Sequence, residues 1–189
     1  LTWFFQDENR IQKVSYRSRD DFQSNVEFVI ANEFAPDCVC VHRDILKLFK
    51  FNPDLFINED LELWARITVD YPVTLVPKNT AVLRVHDGNT SQETKDYISP
   101  QIAVFKSQLE DPKIRANLSS TFINRRQKGF DELIIRQLMK TEQGFSLITA
   151  TLLFLIKYPT DSQNKSKMVV LLYALPGGVF LKKLIRSGR

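Results

Sequence analysis

The chain has 189 residues, of which 43% are hydrophobic and 25% are charged, and its formal net charge is +4 at pH 7. A chain of this length and composition folds as one globular domain, or as one domain with a small appendage, and a disordered chain is excluded. The charge is unevenly distributed, because residues 1–105 carry a balance of −5 and residues 106–189 a balance of +9. The two halves are therefore expected to meet different partners.

The first forty residues predict a mixture of strands and helix. The runs "LTWFF" (1–5) and "RIQKV" (10–14), joined by polar residues, predict a hairpin. Residues 20–32 place apolar side chains on one helical face, and "CVCVH" (38–42) predicts a short buried strand. The chain starts inside the first strand pattern, at Leu1, which suggests a piece of a longer protein or a processed chain.

Cys38 and Cys40 are expected to point to the same face of this strand, because they are two residues apart. Cysteines this close are poor disulfide partners, and a single C-x-C is not a metal-binding framework. We interpret both as small buried side chains. The low cysteine content fits a reducing cytoplasm.

The stretch "NEDLELW" (58–64) is the candidate functional feature of the first half. Asn58 is expected to cap a helix that buries its apolar side. Glu59 and Asp60 in its first turn either stabilise the helix through its dipole, by about 0.3–1 kcal/mol each, or belong to a catalytic site. Trp64 lies one turn after Asp60 on the same side of the helix, an arrangement that suits a sugar or another hydroxyl compound.

Two further strands are predicted at residues 73–77 and 81–86, and "DGNTS" (87–91) follows as a turn. His86 ends the second of these strands. It is either an ordinary half-buried residue or one ligand of a metal whose other ligands come from elsewhere in the fold. These patterns predict an α/β fold class, a partial mixed sheet with flanking helices, as a first domain over residues 1–95.

Residues 96–189 predict a separate, all-helical C-terminal region. Helices are expected at 97–110, 113–142, 144–158 and 165–186. The apolar runs 145–156 and 168–181 are shorter than the roughly 20 residues that span a bilayer. Either these helices pack on each other, or an apolar face lies on an anionic membrane surface with the basic residues at the headgroups, and both can hold for one tail. Nucleic acid is not expected as a partner, because few aromatic residues lie between the basic ones.

Four stretches of the first half stand in a particular order and spacing. They are "FAPDCVCVHRDIL" (34–46), "KFNPDLFINED" (50–60), "EDLELWARI" (59–67) and "VLRVHDGNTS" (82–91). Together they resemble the second half of the catalytic domain of family-2 glycosyltransferases, which have the GT-A fold. The resemblance covers residues 1–95 and implies an inverting enzyme of polysaccharide biosynthesis, which transfers a sugar from a nucleotide-sugar donor to a hydroxyl of a glycan or lipid-linked acceptor.

The resemblance implies roles for three residues on the acceptor side. Asp60 matches the general base of the family, Glu59 matches the usual neighbour of that base, and Trp64 matches the aromatic residue of the same motif. Such a base must lie within about 3 Å of the hydroxyl that attacks the sugar.

On the donor side, His86 matches a histidine that in some members helps to hold a divalent cation, Mn²⁺ or Mg²⁺. Arg84 and Asn89 match positions of the same motif and are expected to bind substrate. The cation would stabilise the departing diphosphate as its charge develops. The D-x-D motif of the family has no counterpart here, which implies that this chain alone binds the donor weakly or not at all.

A second hypothesis treats the chain as a non-catalytic interaction or membrane-docking module, in which Glu59 and Asp60 only stabilise the helix start. We expect a cytoplasmic protein, which would be peripheral on the inner face of a membrane if its basic tail binds the membrane surface and does not only pack on itself.

Overall fold

The computed structural model describes residues 2–7, 10–76, 83–84, 98–140, 144–162, 164, 167–168 and 171. Side chains are described for residues 16–76, 98–139, 145–162, 164, 167–168 and 171. The chain divides into two compact units, Leu1–Ile123 and Asn124–Arg189. The predicted domain boundary between residues 95 and 96 lies outside the described residues.

The strands lie in the first unit. Strand β1 (Thr2–Asp7) pairs antiparallel with β2 (Arg10–Ser15), and Phe5 of β1 lies opposite Gln12. On its other side β1 pairs in parallel with the two-residue β3 (Leu83–Arg84). The strand order is therefore β2-β1-β3.

The predicted α/β fold class is wrong, because the protein is predominantly helical. Among the residues with described side chains, 68% are helical and none lies in a strand. Of the strand predicted at 38–42, the first residue belongs to a 3₁₀ turn (Pro36–Cys38), and Val39 is extended but pairs with no strand among the described residues. Residues 72–76 have no regular structure either. Both segments have the apolar residues of a strand, but a strand also needs a neighbour to pair with its backbone groups.

The prediction that both cysteine side chains are buried is also wrong. Both are free thiols, Cys38 is half-buried and Cys40 is exposed. The Cys38 thiol donates a hydrogen bond to the Ala35 carbonyl oxygen at 3.2 Å, and burial raises its pKa. The 3₁₀ turn ends at Cys38, so the alternation expected of a strand does not apply to this pair.

Helix α1 (Asn25–Asn32) begins at a Ser24 cap, and the hydrogen bonds of this helix start extend to a distant part of the chain. The Ser24 hydroxyl accepts from the Glu27 backbone N–H at 3.0 Å, and the Glu27 carboxylate accepts from Gln23 N–H at 3.0 Å. The same carboxylate accepts from Ser119 N–H at 2.7 Å, and Ser24 donates to the Asn117 carbonyl oxygen at 2.6 Å. Glu27 is 3% exposed. This buried acid therefore links the start of α1 to a turn more than 90 residues later.

The short α2 (Ile45–Leu48) and the longer α3 (Glu59–Asp70) complete the first part of this unit. Helix α3 packs against α1, because one side of α3 is apolar at helical spacing. The buried side chains of this core are Phe28, Val29, Phe34, Leu61, Leu63, Trp64 and Ile67.

Helices α4 (Ile98–Glu110), α5 (Pro112–Ala116) and α6 (Ser120–Lys140) follow. The Asp111 carboxylate caps α5 by accepting from Lys113 and Ile114 N–H groups at 2.8 and 3.2 Å. The single helix predicted over residues 113–142 is wrong, because the chain turns at residues 117–119. There the Ser119 hydroxyl accepts from Phe122 N–H at 3.1 Å and starts α6 as a cap.

The second unit contains most of α6, helix α7 (Gly144–Lys157) and the residues that follow. Its core consists of Ile135, Leu147 and Phe154, with Leu138, Ala150 and Tyr158 packed against them. The Asp131 carboxylate accepts from Lys157 Nζ at 2.8 Å and from the Tyr158 hydroxyl at 2.9 Å. None of the described helices combines the length and the apolar character that crossing a membrane requires.

Candidate functional site

The candidate site lies at the first turn of α3. Asn58 precedes the helix in a left-handed conformation, with φ 61° and ψ 23°, and its side chain forms no capping hydrogen bond. A capping residue normally has an extended backbone that points its side chain at the helix N–H groups, and the left-handed backbone removes this option. The predicted helix is confirmed at this position, whereas the predicted capping bond from Asn58 is wrong.

Asp60 is a half-buried carboxylate in this turn. Its Oδ1 accepts a hydrogen bond from the Leu61 backbone N–H at 2.7 Å. Burial raises the pKa of the Asp60 carboxyl above its ordinary value, and the negative charges of Glu59 and Glu33 raise it further. The hydrogen bond from Leu61 acts in the opposite direction but is smaller than the effect of burial. Asp60 therefore holds a proton more tightly than an exposed aspartate does.

Glu33 is the third acid of the site, and nothing in the sequence indicated it. It ends α1 with a left-handed backbone, φ 49° and ψ 54°, and its N–H donates to the Val29 carbonyl oxygen at 3.0 Å. Glu33 and Asn58 are the only non-glycine residues with positive φ in the part of the chain that the structure describes. Such conformations cost about 1–3 kcal/mol each and concentrate at functional sites. Here one of them, Glu33, ends α1, and the other, Asn58, directly precedes Glu59 and Asp60 at the start of α3.

The Trp64 side chain is buried in the hydrophobic core. It is 7% exposed, and its indole Nε1 donates to the Phe34 carbonyl oxygen at 2.9 Å. Its ring meets the Phe51 ring edge to face at a centroid distance of 6.2 Å. The indole N–H is thus already satisfied within the protein, and Trp64 can offer a ligand only the part of its ring that borders the cavity described next.

A cavity of about 230 Å³ runs along α3 beyond Trp64. It is smaller than the roughly 300–1,000 Å³ of sites for drug-sized ligands, so it suits one small group or one end of a larger molecule. Its walls combine apolar side chains with a few polar groups, namely His42, Thr68 and Thr74. The remaining lining residues are Val29, Phe34, Val39, Cys40, Val41, Ile45, Trp64, Ile67, Tyr71, Pro72 and Val73.

Gln108 of α4 lies directly beneath the first turn of α3. It is 1% exposed, and its Nε2 donates to the Leu61 carbonyl oxygen at 3.5 Å. Its Oε1 is buried without a hydrogen-bond partner. A helical pattern in the sequence cannot show that a glutamine is buried, so sequence reasoning missed it.

The remaining predicted site residues, Arg84, His86 and Asn89, are described only in part. Arg84 belongs to β3, where it lies opposite Gln6 of β1. His86 and Asn89 lie outside the described residues, so the structure does not show whether they approach Asp60. Within the described part of the chain, no group of three or more His, Cys, Asp or Glu residues could hold a metal ion.

Comparison with known proteins gives no relative. No family model matches the chain, and no curated protein and no solved structure matches it. Family-2 glycosyltransferases have a GT-A mixed sheet, whereas this protein is helical. The predicted membership of that family is therefore wrong.

Proposed function

We propose that Asp60 is a general base that accepts the proton of an acceptor hydroxyl while a sugar is transferred to that hydroxyl from a nucleotide-sugar donor. The hydroxyl oxygen bonds to the anomeric carbon as the bond from that carbon to the diphosphate breaks. The electron pair of the broken bond leaves with the nucleoside diphosphate, and the proton passes to the Asp60 carboxylate. This proposal depends on the surroundings of one carboxylate and does not depend on membership of a glycosyltransferase family.

The observation that supports the proposal is a half-buried carboxylate whose pKa is raised by burial and by two neighbouring acids. A general base works best when its pKa lies near the working pH, and carboxylates reach that range through burial and like charges. Glu59 contributes here as the adjacent charge. A carboxylate that served only the helix dipole would be stabilised in its charged form, and its pKa would be lowered instead.

The cavity along α3 is lined by Trp64 and not by Asp60, so an acceptor bound there must extend past Trp64 to reach Asp60, one helical turn earlier. Trp64 and Tyr71 offer ring surface, and His42 and Thr68 offer polar atoms, which is the combination that binds sugar rings and hydroxyl groups. The acceptor in this proposal is a glycan or a lipid-linked glycan. We further propose that the reaction takes place in the cytoplasm, at the inner face of a membrane.

The roles of Arg84 and Asn89 in substrate binding and of His86 in metal binding remain predictions. Mn²⁺ or Mg²⁺ would stabilise the charge on the departing diphosphate. Because the described residues contain no cluster for such an ion, no step of the proposal passes through it.

The test measures nucleoside diphosphate release by the full-length protein with panels of nucleotide sugars and oligosaccharide acceptors, in Mg²⁺ or Mn²⁺. Asp60→Asn keeps the shape of the side chain but removes the base, so kcat should fall by about 100-fold or more. Asp54→Asn is the matched control, because Asp54 is exposed in the loop before α3, and its activity should equal that of the wild type. Equal turnover in wild type and Asp60→Asn would show that Asp60 is not the base.

The alternative is a non-catalytic interaction or membrane-docking module, in which Glu59 and Asp60 only stabilise the helix start. Helix α7 of the second unit leaves large apolar side chains exposed, as described below. This surface is compatible with either hypothesis, and the Asp60 test separates them.

A further inference from the structure

Helix α7 has two apolar sides, and among the residues that the structure describes only one of them is covered. The inner side places Leu147, Thr151 and Phe154 against the core of the second unit. The Thr151 hydroxyl is buried and donates to the Leu147 carbonyl oxygen at 2.7 Å, so it needs no other partner. A helix that is apolar all round is normally buried all round.

The other side, which we call the outer face, consists of Phe145, Thr149, Leu152, Leu153 and Ile156. These residues recur at helical spacing, so they form one stripe that extends roughly 17 Å along the helix. Phe145 is 84% exposed, Leu153 61% and Ile156 76%. Single exposed apolar residues are common, but a contiguous apolar patch usually marks a surface of interaction.

The unit that contains the outer face is rich in basic residues. Helix α7 contains no acid, and its single charged residue, Lys157, is 51% exposed at the end of the stripe next to Ile156. Residues 124–189 hold twelve Lys or Arg and four Asp or Glu, a balance of +8. The three acids of this unit within the described residues each face a lysine, in the pairs Asp131–Lys157, Glu132–Lys167 and Asp161–Lys128. The excess positive charge is therefore not compensated by them.

We propose that the outer face of α7 docks on the surface of an anionic lipid bilayer, with the helix lying in the plane of the interface. The apolar side chains enter the boundary between headgroups and acyl chains, and basic residues of this unit meet lipid phosphates. This proposal does not depend on the function proposed for Asp60.

Two features favour lipid over a protein partner. The large side chains of the stripe carry no hydrogen-bonding groups, and Thr149 uses its hydroxyl to donate to the Phe145 carbonyl oxygen at 3.1 Å. A protein interface combines an apolar centre with directional polar contacts at its rim, whereas a bilayer needs only apolar insertion and positive charge. The positive balance of the unit then matches the negative potential of an anionic membrane.

The test is co-sedimentation of the full chain with vesicles of phosphatidylcholine alone or of phosphatidylcholine mixed with anionic phosphatidylglycerol. We expect binding to the anionic vesicles, and at least a tenfold weaker partition for Phe145→Asp and for Ile156→Asp. Both changes replace exposed side chains, and circular dichroism should show an unchanged helix content. Phe56→Asp is the matched control, since Phe56 is 80% exposed in the first unit, and it should bind like the wild type.

Three results would overturn the proposal. The wild type could fail to bind anionic vesicles at low salt. Both α7 variants could bind as well as the wild type, which would assign binding to charge elsewhere in the chain. Finally, sedimentation velocity could show a dimer that Ile156→Asp abolishes, without vesicle binding, and the outer face would then contact a second copy of the chain.

Discussion

At the scale of single residues, the pH dependence of stability shows whether the surroundings of Asp60 disfavour its charged form or whether the helix dipole stabilises that form. Its pKa is raised in the folded protein, so the folded state binds a proton more tightly than the unfolded state does. The contribution of Asp60 to the unfolding free energy therefore falls as the pH rises from the ordinary aspartate pKa of 3.8 through the raised pKa of Asp60 in the folded protein. The charged form of Asp60 thus lowers stability at neutral pH.

We therefore expect Asp60→Asn to be more stable than the wild type at pH 7, with the difference disappearing as the pH falls below the ordinary aspartate range. Urea unfolding between pH 3 and pH 8, a range around the usual aspartate pKa, measures this directly. Asp54→Asn should show no such trend. If Asp60 only stabilised the helix, its replacement would instead lower stability by about 0.3–1 kcal/mol at neutral pH.

The sequence identified some of these residues and could not identify others. Glu59, Asp60 and Trp64 follow one another at helical spacing, so local reasoning could place them on one helix. The charge of Glu33 acts on Asp60 only because α1 packs on α3. Gln108 donates a hydrogen bond to the Leu61 carbonyl oxygen, although the two residues are 47 positions apart in the sequence. Contacts of this kind depend on tertiary packing, which local spacing does not contain.

At the scale of elements, Glu27 joins α1 to the turn between α5 and α6. Its two carboxylate oxygens accept separate backbone N–H groups, from Gln23 and Ser119. Glu27→Gln can satisfy only one of them, because its amide group is a donor and would face a second donor. We expect this variant to lose about 1–3 kcal/mol of unfolding free energy.

Urea unfolding at pH 7 measures the loss for Glu27→Gln. The control is Asp44→Asn, because Asp44 pairs with Lys47 on the surface and should contribute less than about 1 kcal/mol. If Glu27→Gln lost no more unfolding free energy than Asp44→Asn, the Glu27 carboxylate would not be needed to stabilise the turn at 117–119.

The two wrong strand predictions have the same physical cause. Residues 38–42 and 73–77 have the apolar composition of strands, but a strand forms only where another strand accepts its hydrogen bonds. Within the described residues, these segments pack on α3 through their side chains instead, and several of them line the cavity. Helix α3 was predictable because helical hydrogen bonds are local, and its apolar stripe already shows which side is buried.

At the scale of the whole molecule, the two proposals assign different work to the two compact units. Asp60 and the cavity belong to Leu1–Ile123, and the outer face of α7 belongs to Asn124–Arg189. The uneven charge of the sequence agrees with this division, because the basic excess lies in the second half. Catalysis and membrane docking should therefore respond to different substitutions.

This separation leads to a prediction with two acceptors, one a water-soluble oligosaccharide and the other a glycolipid in anionic vesicles. Asp60→Asn should lose transfer to both acceptors and keep its binding to vesicles, because it leaves α7 unchanged. Ile156→Asp should keep transfer to the soluble acceptor and lose at least tenfold in transfer to the glycolipid, since docking concentrates the enzyme at the lipid surface. A loss of soluble transfer in Ile156→Asp, with unchanged helix content, would contradict the division of work between the units.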